Sequence, residues 1–180
     1  MELLPLLQNT AAVEPEGTVR VTWASSVISD LAAPKYGVEL GSDGSPKVHD
    51  KPTVDYGQSK AGNVLLSSEF ARRYKSDGIV SVAWNPGNLR TDLLRHFHPV
   101  ERFITWSLAH DVIRGAHTEL YAGWSSDIAA EHTGSYIKPW GRLSQPRSDI
   151  ETACVGGLEG GRSVAEAFWD WCETQAKAHL

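Results

Sequence analysis

The sequence predicts an α/β fold built on a parallel sheet, with about three strands joined by crossover helices. Two observations carry this. Candidate strands near residues 18–24, 79–84 and 134–137 alternate with helical stretches near 56–74, 111–125 and 163–178, an order that implies right-handed parallel crossovers. The middle strand, Ile79-Val80-Ser81-Val82-Ala83-Trp84, is also nearly continuously apolar, as expected of a strand covered on both faces.

Taken in order, the first residues read as the end of a helix, followed by a polar turn over 9–17. Thr18-Val19-Arg20-Val21-Thr22-Trp23-Ala24 is β-branched, aromatic and alternating, and ends at Ser25-Ser26. Residues 27–55 are rich in Gly, Pro, Asp, Ser and Lys without sustained period, the pattern of a long loop that touches a ligand or is a plain insertion. From Tyr56 the period turns helical, with Ala61, Val64, Leu65, Ser68 and Ala71 on one stripe and Arg72-Arg73 in the last turn, where cations suit the helix dipole. Gly78 stops it, and Asn85-Pro86-Gly87 ends the second strand. After a short segment over 89–94, Val112, Ala116, Leu120 and Tyr121 form the expected stripe of the next helix. Ser163 is a cap for the last, whose stripe is Val164, Ala167, Phe168, Trp171 and Cys172, with Trp169 and Trp171 straddling it so that one packs inward.

Composition narrows the function classes. The 180 residues suit one domain able to bury roughly 70% of its unfolded surface. A net charge of −5 and the lack of a Lys/Arg run argue against nucleic acid as a partner. Cys154 and Cys172 fit no paired metal spacing and read as reduced thiols of an intracellular, cytoplasmic protein, with a disulfide between them as the alternative. The opening Leu3-Leu4-Pro5-Leu6-Leu7 is too short and proline-broken for a signal peptide or a membrane span. His96 and His98, beside Arg95 and Pro99, read as polar surface, so no metal site is expected. No Gly-x-Ser-x-Gly elbow surrounds Ser26, which removes the main support for a serine hydrolase.

The chemistry concentrates at Tyr56 and Lys60, four apart and therefore on one helix face. A free phenol is a sluggish acid–base group near neutrality. An ammonium about 6 Å away, at an effective dielectric near 20, favours a phenolate by up to ~3 kcal/mol. A lone Tyr-x-x-x-Lys arises easily by chance. Its weight comes from the ordered set: a strand ending in Ser25-Ser26, the tyrosine helix, then a buried strand ending in Asn85-Pro86-Gly87 with Thr91 beyond it. Strand C-terminal ends are where ligands sit in open α/β sheets.

On these motifs the chain resembles the short-chain dehydrogenase/reductase family, specifically its C-terminal, catalytic half, over nearly all 180 residues. Residues 18–26 resemble the family's serine-bearing strand, Tyr56-Gly57-Gln58-Ser59-Lys60-Ala61-Gly62-Asn63 its active-site helix, and Asn85-Pro86-Gly87-Asn88-Leu89-Arg90-Thr91 its Pro-Gly-x-x-x-Thr segment. Ile137-Lys138-Pro139-Trp140-Gly141-Arg142 is similar to a stretch of fungal members. The resemblance implies the C-terminal half of a doubly wound parallel-sheet Rossmann fold and an NADP(H)-linked oxidoreductase, NAD being the alternative cofactor. The resemblance further implies reduction of a ketone or oxidation of a secondary alcohol, and its fungal stretch implies a role in secondary metabolism. It makes Tyr56 the acid–base residue and gives Lys60 the tasks of priming it and binding the nicotinamide ribose. By the same resemblance Ser26 would hold the substrate oxygen, with Ser25 the less favoured choice, and Pro86, Gly87, Leu89 and Thr91 would line the nicotinamide end.

The departures are equally specific. A full member opens with a glycine-rich nucleotide-binding turn and carries a catalytic asparagine on the helix before the serine strand. Both are expected before Met1, so the chain reads as a single, N-terminally truncated domain that binds cofactor weakly or not at all by itself. The serine strand then becomes an exposed edge, which invites a homo-oligomer or a complementary chain. The second reading is therefore a non-catalytic remnant that binds a partner by strand addition along that edge.

Overall fold

The computed structural model describes residues 3–91, 103, 106–156 and 161–178. Helix α1 (Leu4–Ala11) leads to strand β1 (Arg20–Ala24), the short helix α2 (Ile28–Leu31) and the long helix α3 (Pro52–Tyr74). Strand β2 (Val80–Trp84), helix α4 (Ile113–Trp124), strands β3 (Tyr136–Lys138) and β4 (Arg142–Ser144), and helices α5 (Ser148–Val155) and α6 (Val164–Lys177) complete the order. The sheet runs β1-β2-β3-β4, parallel across the first three strands and antiparallel between β3 and β4. The α/β class and crossover helices are as the sequence predicts. The fourth strand is an addition, because its three residues return through the Gly141 turn and carry too short an alternation to read beforehand.

Strand β2 is buried at every residue and divides the core by its two-residue period. Val80, Val82 and Trp84 pack with Ile137, Ala122 and Ile128 on the α4 side. Ala83 packs with Val64, Leu65, Ala61, Tyr136, Ile150 and Phe168 on the α3, α5 and α6 side. Ile79, Phe70 and Trp169 close a third cluster against Leu4, Leu7 and Ala11 of α1. The inward tryptophan of the last helix is thus Trp169, while Trp171 stacks on Phe168 with ring centres 6.1 Å apart.

Local chemistry sets the boundaries. Helix α3 starts at Pro52, a full turn before the expected Tyr56, because proline's fixed φ and missing N–H suit a first helical position. Its end passes through a 3-10 turn to Gly78, whose φ of 76° is the left-handed stop anticipated there. The Ser163 hydroxyl accepts from the Glu166 amide at 3.0 Å, capping α6. The stripe expected of α4 needs correction: Val112 and Leu120 are 55% and 54% exposed, and Gly115, Thr118 and Ala122 face inward instead. Small residues are required there, since a Cβ on Gly115 would stand 2.3 Å from Leu89 Cδ1. The 27–55 segment, expected to be a loop, also contains α2, the start of α3 and a bridge between Leu40 and Pro46.

Cys154 and Cys172 are free, and burial pushes both thiols up to about 11. Among the described residues no helix is long and apolar enough to cross a membrane, and no group of three or more His, Cys, Asp or Glu gathers as a metal site. His96 and His98 lie outside the described residues.

Candidate active site

The C-terminal ends of β1, β2 and β3 meet at one rim. The ladder continues beyond the strands, with the Ser25 amide donating to Trp84 O at 2.7 Å and the Asn85 amide to Ile137 O at 2.9 Å. Segments 25–26 and 85–87 therefore emerge side by side.

Helix α3 lies over the β1 end and is stitched to it by side chains. Lys60 Nζ donates to the Ala24 carbonyl at 3.3 Å, and Asn63 Nδ2 donates to the same oxygen at 2.8 Å. Ser25 is buried and its hydroxyl donates to the Lys60 carbonyl at 2.9 Å. Ser26 is only partly buried, and its hydroxyl accepts at 3.4 Å from the Ile28 amide at the start of α2. The two serines are thereby separated in role: one is committed to the backbone of α3, the other stands at the rim.

Tyr56 occupies the second turn of α3 and is 42% exposed, with Lys60 Nζ 5.8 Å from its ring centre. The helical spacing thus brings ammonium and phenol together as the sequence indicates. Gly57 lets this turn approach α2, because a Cβ there would stand 2.6 Å from Ala33 N. On another face of the helix, Gln58 and Asp55 hold the 39–49 segment: Gln58 accepts from the Glu39 amide, and Asp55 pairs with His49.

At the β2 end, Asn85 is buried and its Oδ1 accepts from the Gly87 amide at 2.9 Å, shaping the turn through Pro86. Gly87 has a φ of 90°, and a Cβ there would stand 3.1 Å from the Trp140 ring. Trp140 is held by an edge contact from His110, 5.0 Å between centres, and by the Arg114 guanidinium at 5.6 Å. Leu89 is partly buried against Gly115 and bridges to His110, while Thr91 is exposed at the end of its described segment. Beneath the rim, the buried Tyr136 hydroxyl faces Ser29, Ser25 and Asn85 without closing a hydrogen bond; burial raises its pKa above the ordinary value and the facing polar groups oppose that.

Sequence reasoning missed Asn63, Tyr136, Trp140, His110 and the Gln58 and His49 contacts. Only Asn63 had an available signal, its place seven residues after Tyr56 on the same side of the helix. The others depend on contacts between segments far apart in the chain.

No family model matches the chain. Against curated proteins it is 40% identical to the short-chain dehydrogenase/reductase iacJ of Pestalotiopsis fici over 183 residues, covering 99% of this chain and 53% of that protein. It is 41% identical to a short-chain dehydrogenase/reductase of Phomopsis amygdali over 184 residues, covering 99% and 54%. The chain thus spans about half the length of the curated relatives it matches. Among solved structures, the NADPH-bound carbonyl reductase from chicken fatty liver superposes with a TM-score of 0.51 at 18% identity, covering 79% of this chain and 49% of that one, a likeness of fold.

Proposed function

We propose, for a chain that belongs over most of its length to the short-chain dehydrogenase/reductase family, that it is the catalytic, C-terminal portion of a nicotinamide-dependent oxidoreductase. It acts on a ketone or a secondary alcohol with NADP(H), NAD being the alternative. The observation that carries this reading is the attachment of the Tyr56–Lys60 pair to the end of β1 through the Ala24 carbonyl, beside the partly buried Ser26.

The residues present fit the nicotinamide end of such a cofactor. Lys60 carries three N–H donors and Ala24 takes one, which leaves donors for ribose hydroxyls. Pro86, Gly87, Leu89 and Thr91 would line the ring. The phosphates are another matter: β1 runs into Ser25-Ser26 and β2 into Asn85-Pro86-Gly87, so among the described residues neither opens a glycine-rich turn into a helix. Weak cofactor binding by this chain alone follows.

A bound nicotinamide supplies or accepts the hydride. The protein's residues handle the oxygen. In reduction, the Tyr56 hydroxyl gives its proton to the substrate oxygen while Ser26 Oγ donates a hydrogen bond to that same oxygen. The Lys60 ammonium balances the charge left on the phenol. Oxidation reverses each transfer, with the phenolate taking the alcohol proton. We extend the reading to a small-molecule substrate of fungal secondary metabolism handled in the cytoplasm.

Titration with NADPH and NADH tests the cofactor assignment: the chain alone should bind more weakly than micromolar, and tight binding would refute the missing cradle. In any preparation that turns over, Tyr56→Phe should abolish activity, and full retention removes the assigned role.

One observation favours the second reading, a partner-binding remnant. Strand β1 forms a sheet edge and is only partly buried, so a complementary polypeptide or a second copy could add a strand there. Light scattering, alone and with a full-length relative, separates this reading from a catalytic monomer.

A further inference from the structure

Between α2 and α3 the chain builds a small hairpin. The Lys47 amide donates to Glu39 O and the Gly41 amide to Ser45 O, each at 2.8 Å, around the Leu40–Pro46 bridge. Gln58, buried on α3, clasps both arms: its Oε1 accepts from the Glu39 amide at 2.9 Å and its Nε2 donates to Lys47 O at 2.8 Å. A second fastening runs through His49. Its Nδ1 lies 2.8 Å from Asp55 Oδ1, in the first turn of α3, and its Nε2 lies 3.2 Å from Glu39 Oε2 on the hairpin. The charged groups facing the ring are Asp55 from α3 and Glu39 from the hairpin, the latter shared with Lys47 at 2.7 Å.

Ionised carboxylates only accept hydrogen bonds, so a ring with a carboxylate at each nitrogen must donate from both. Only the imidazolium does so. A neutral ring turns one bare lone pair toward an anion and loses that contact. The Asp55 side is shorter and reinforced by the His49 amide, which donates to the same oxygen at 3.0 Å; the Glu39 side is the one to open.

We infer that His49 is a positioning residue: as an imidazolium it ties the 39–47 hairpin to the turn of α3 that precedes Tyr56, and on losing its proton it releases the hairpin to the Gln58 clasp alone. The electrostatics agree, since Asp55 first and Glu39 second raise the pKa of His49 above its ordinary value. The bearing of this catch on catalysis rests on the role proposed for Tyr56. The catch itself does not.

The test is amide hydrogen exchange across residues 39–49, corrected for intrinsic rate, together with NMR titration of the His49 ring, between about pH 5.5 and pH 8.5. Exchange of the hairpin should quicken about threefold as the ring deprotonates, the scale of one exposed ion pair. His49→Gln should remove that step, and Glu39→Gln should also remove it while leaving Asp55 in place, which covers a His49 variant that fails to fold. A flat wild-type profile, or a step that survives Glu39→Gln, overturns the inference. Neither measurement needs cofactor or turnover, so failure of the catalytic reading would leave this result standing, and a flat profile would leave the catalytic reading untouched.

Discussion

The Ser25 hydroxyl donates to the main-chain carbonyl of Lys60 across 35 residues of sequence, fastening the serine-bearing strand end to the helix that carries the tyrosine. Ser25→Ala should therefore cost about 1 kcal/mol in urea unfolding. Ser26→Ala, whose hydroxyl has only a long contact to Ile28 N, should shift stability by less than about 0.5 kcal/mol. In an active preparation it should lower kcat roughly 100-fold, the usual loss when a donor to the reacting oxygen is removed. Equal stability losses in the two variants would contradict this division of labour.

Glycine replacements should split by sign. A Cβ at Gly57 would press within 2.6 Å of Ala33 N and 2.8 Å of Ala32 C, backbone atoms that cannot swing aside. Gly57→Ala should lose about 1–3 kcal/mol. Gly123, in α4, has nothing within 4 Å of its would-be Cβ, so Gly123→Ala should gain up to about 1 kcal/mol from helix propensity. Thermal unfolding of both variants checks the pair.

Acid stability should depend on Arg147 and Asp149. Their ion pair is 2.6 Å long, and Arg147 also donates to Asp30 O, Ala33 O and Pro34 O, holding the segment after α2 against α5. Arg147 first, with help from the Tyr36 amide, lowers the Asp149 pKa from 3.8 to about 2. A lowered folded-state value means stability that is complete above the ordinary carboxylate value and disappears as pH falls from about 4 toward about 2. The loss should reach about 2 kcal/mol in wild type and vanish in Asp149→Asn, as read from unfolding midpoints at each pH.

The edge of β1 offers a fourth check. Ser25 donates to Trp84 and Val19 accepts from Val80, so odd-numbered residues bond β2 while Arg20, Thr22 and Ala24 turn their backbone groups outward. Thr22→Pro removes an outward N–H without breaking the β2 ladder. It should keep the helical circular dichroism signal and suppress any concentration-dependent association seen by light scattering.

How much of this was legible depended on the range of the interactions involved. The apolar run of β2, the Gly78 stop and the Ser163 cap are local patterns, and each appears where the sequence puts it. The Tyr56–Lys60 relation is local as well. The start of α3 lies four residues before the expected Tyr56, because Pro52-Thr53-Val54-Asp55 carries no helical period and only proline's fixed φ marks it as an opening turn. The inward face of α4 departs from the expected stripe at Val112 and Leu120, while Ala116 and Tyr121 stay partly buried, because close packing on Leu89 and the sheet selects Gly115 and Ala122. Partners such as Ser25 with Lys60, or Trp140 with Gly87, join segments that only the fold brings together.

Because Lys60 and Asn63 already occupy the Ala24 oxygen, a polypeptide laid along the open side of β1 finds its last rung taken and must end its pairing at Thr22. A strand added along that edge would thus stop short of Ser25-Ser26, held off by a single carbonyl already shared between two side chains of α3.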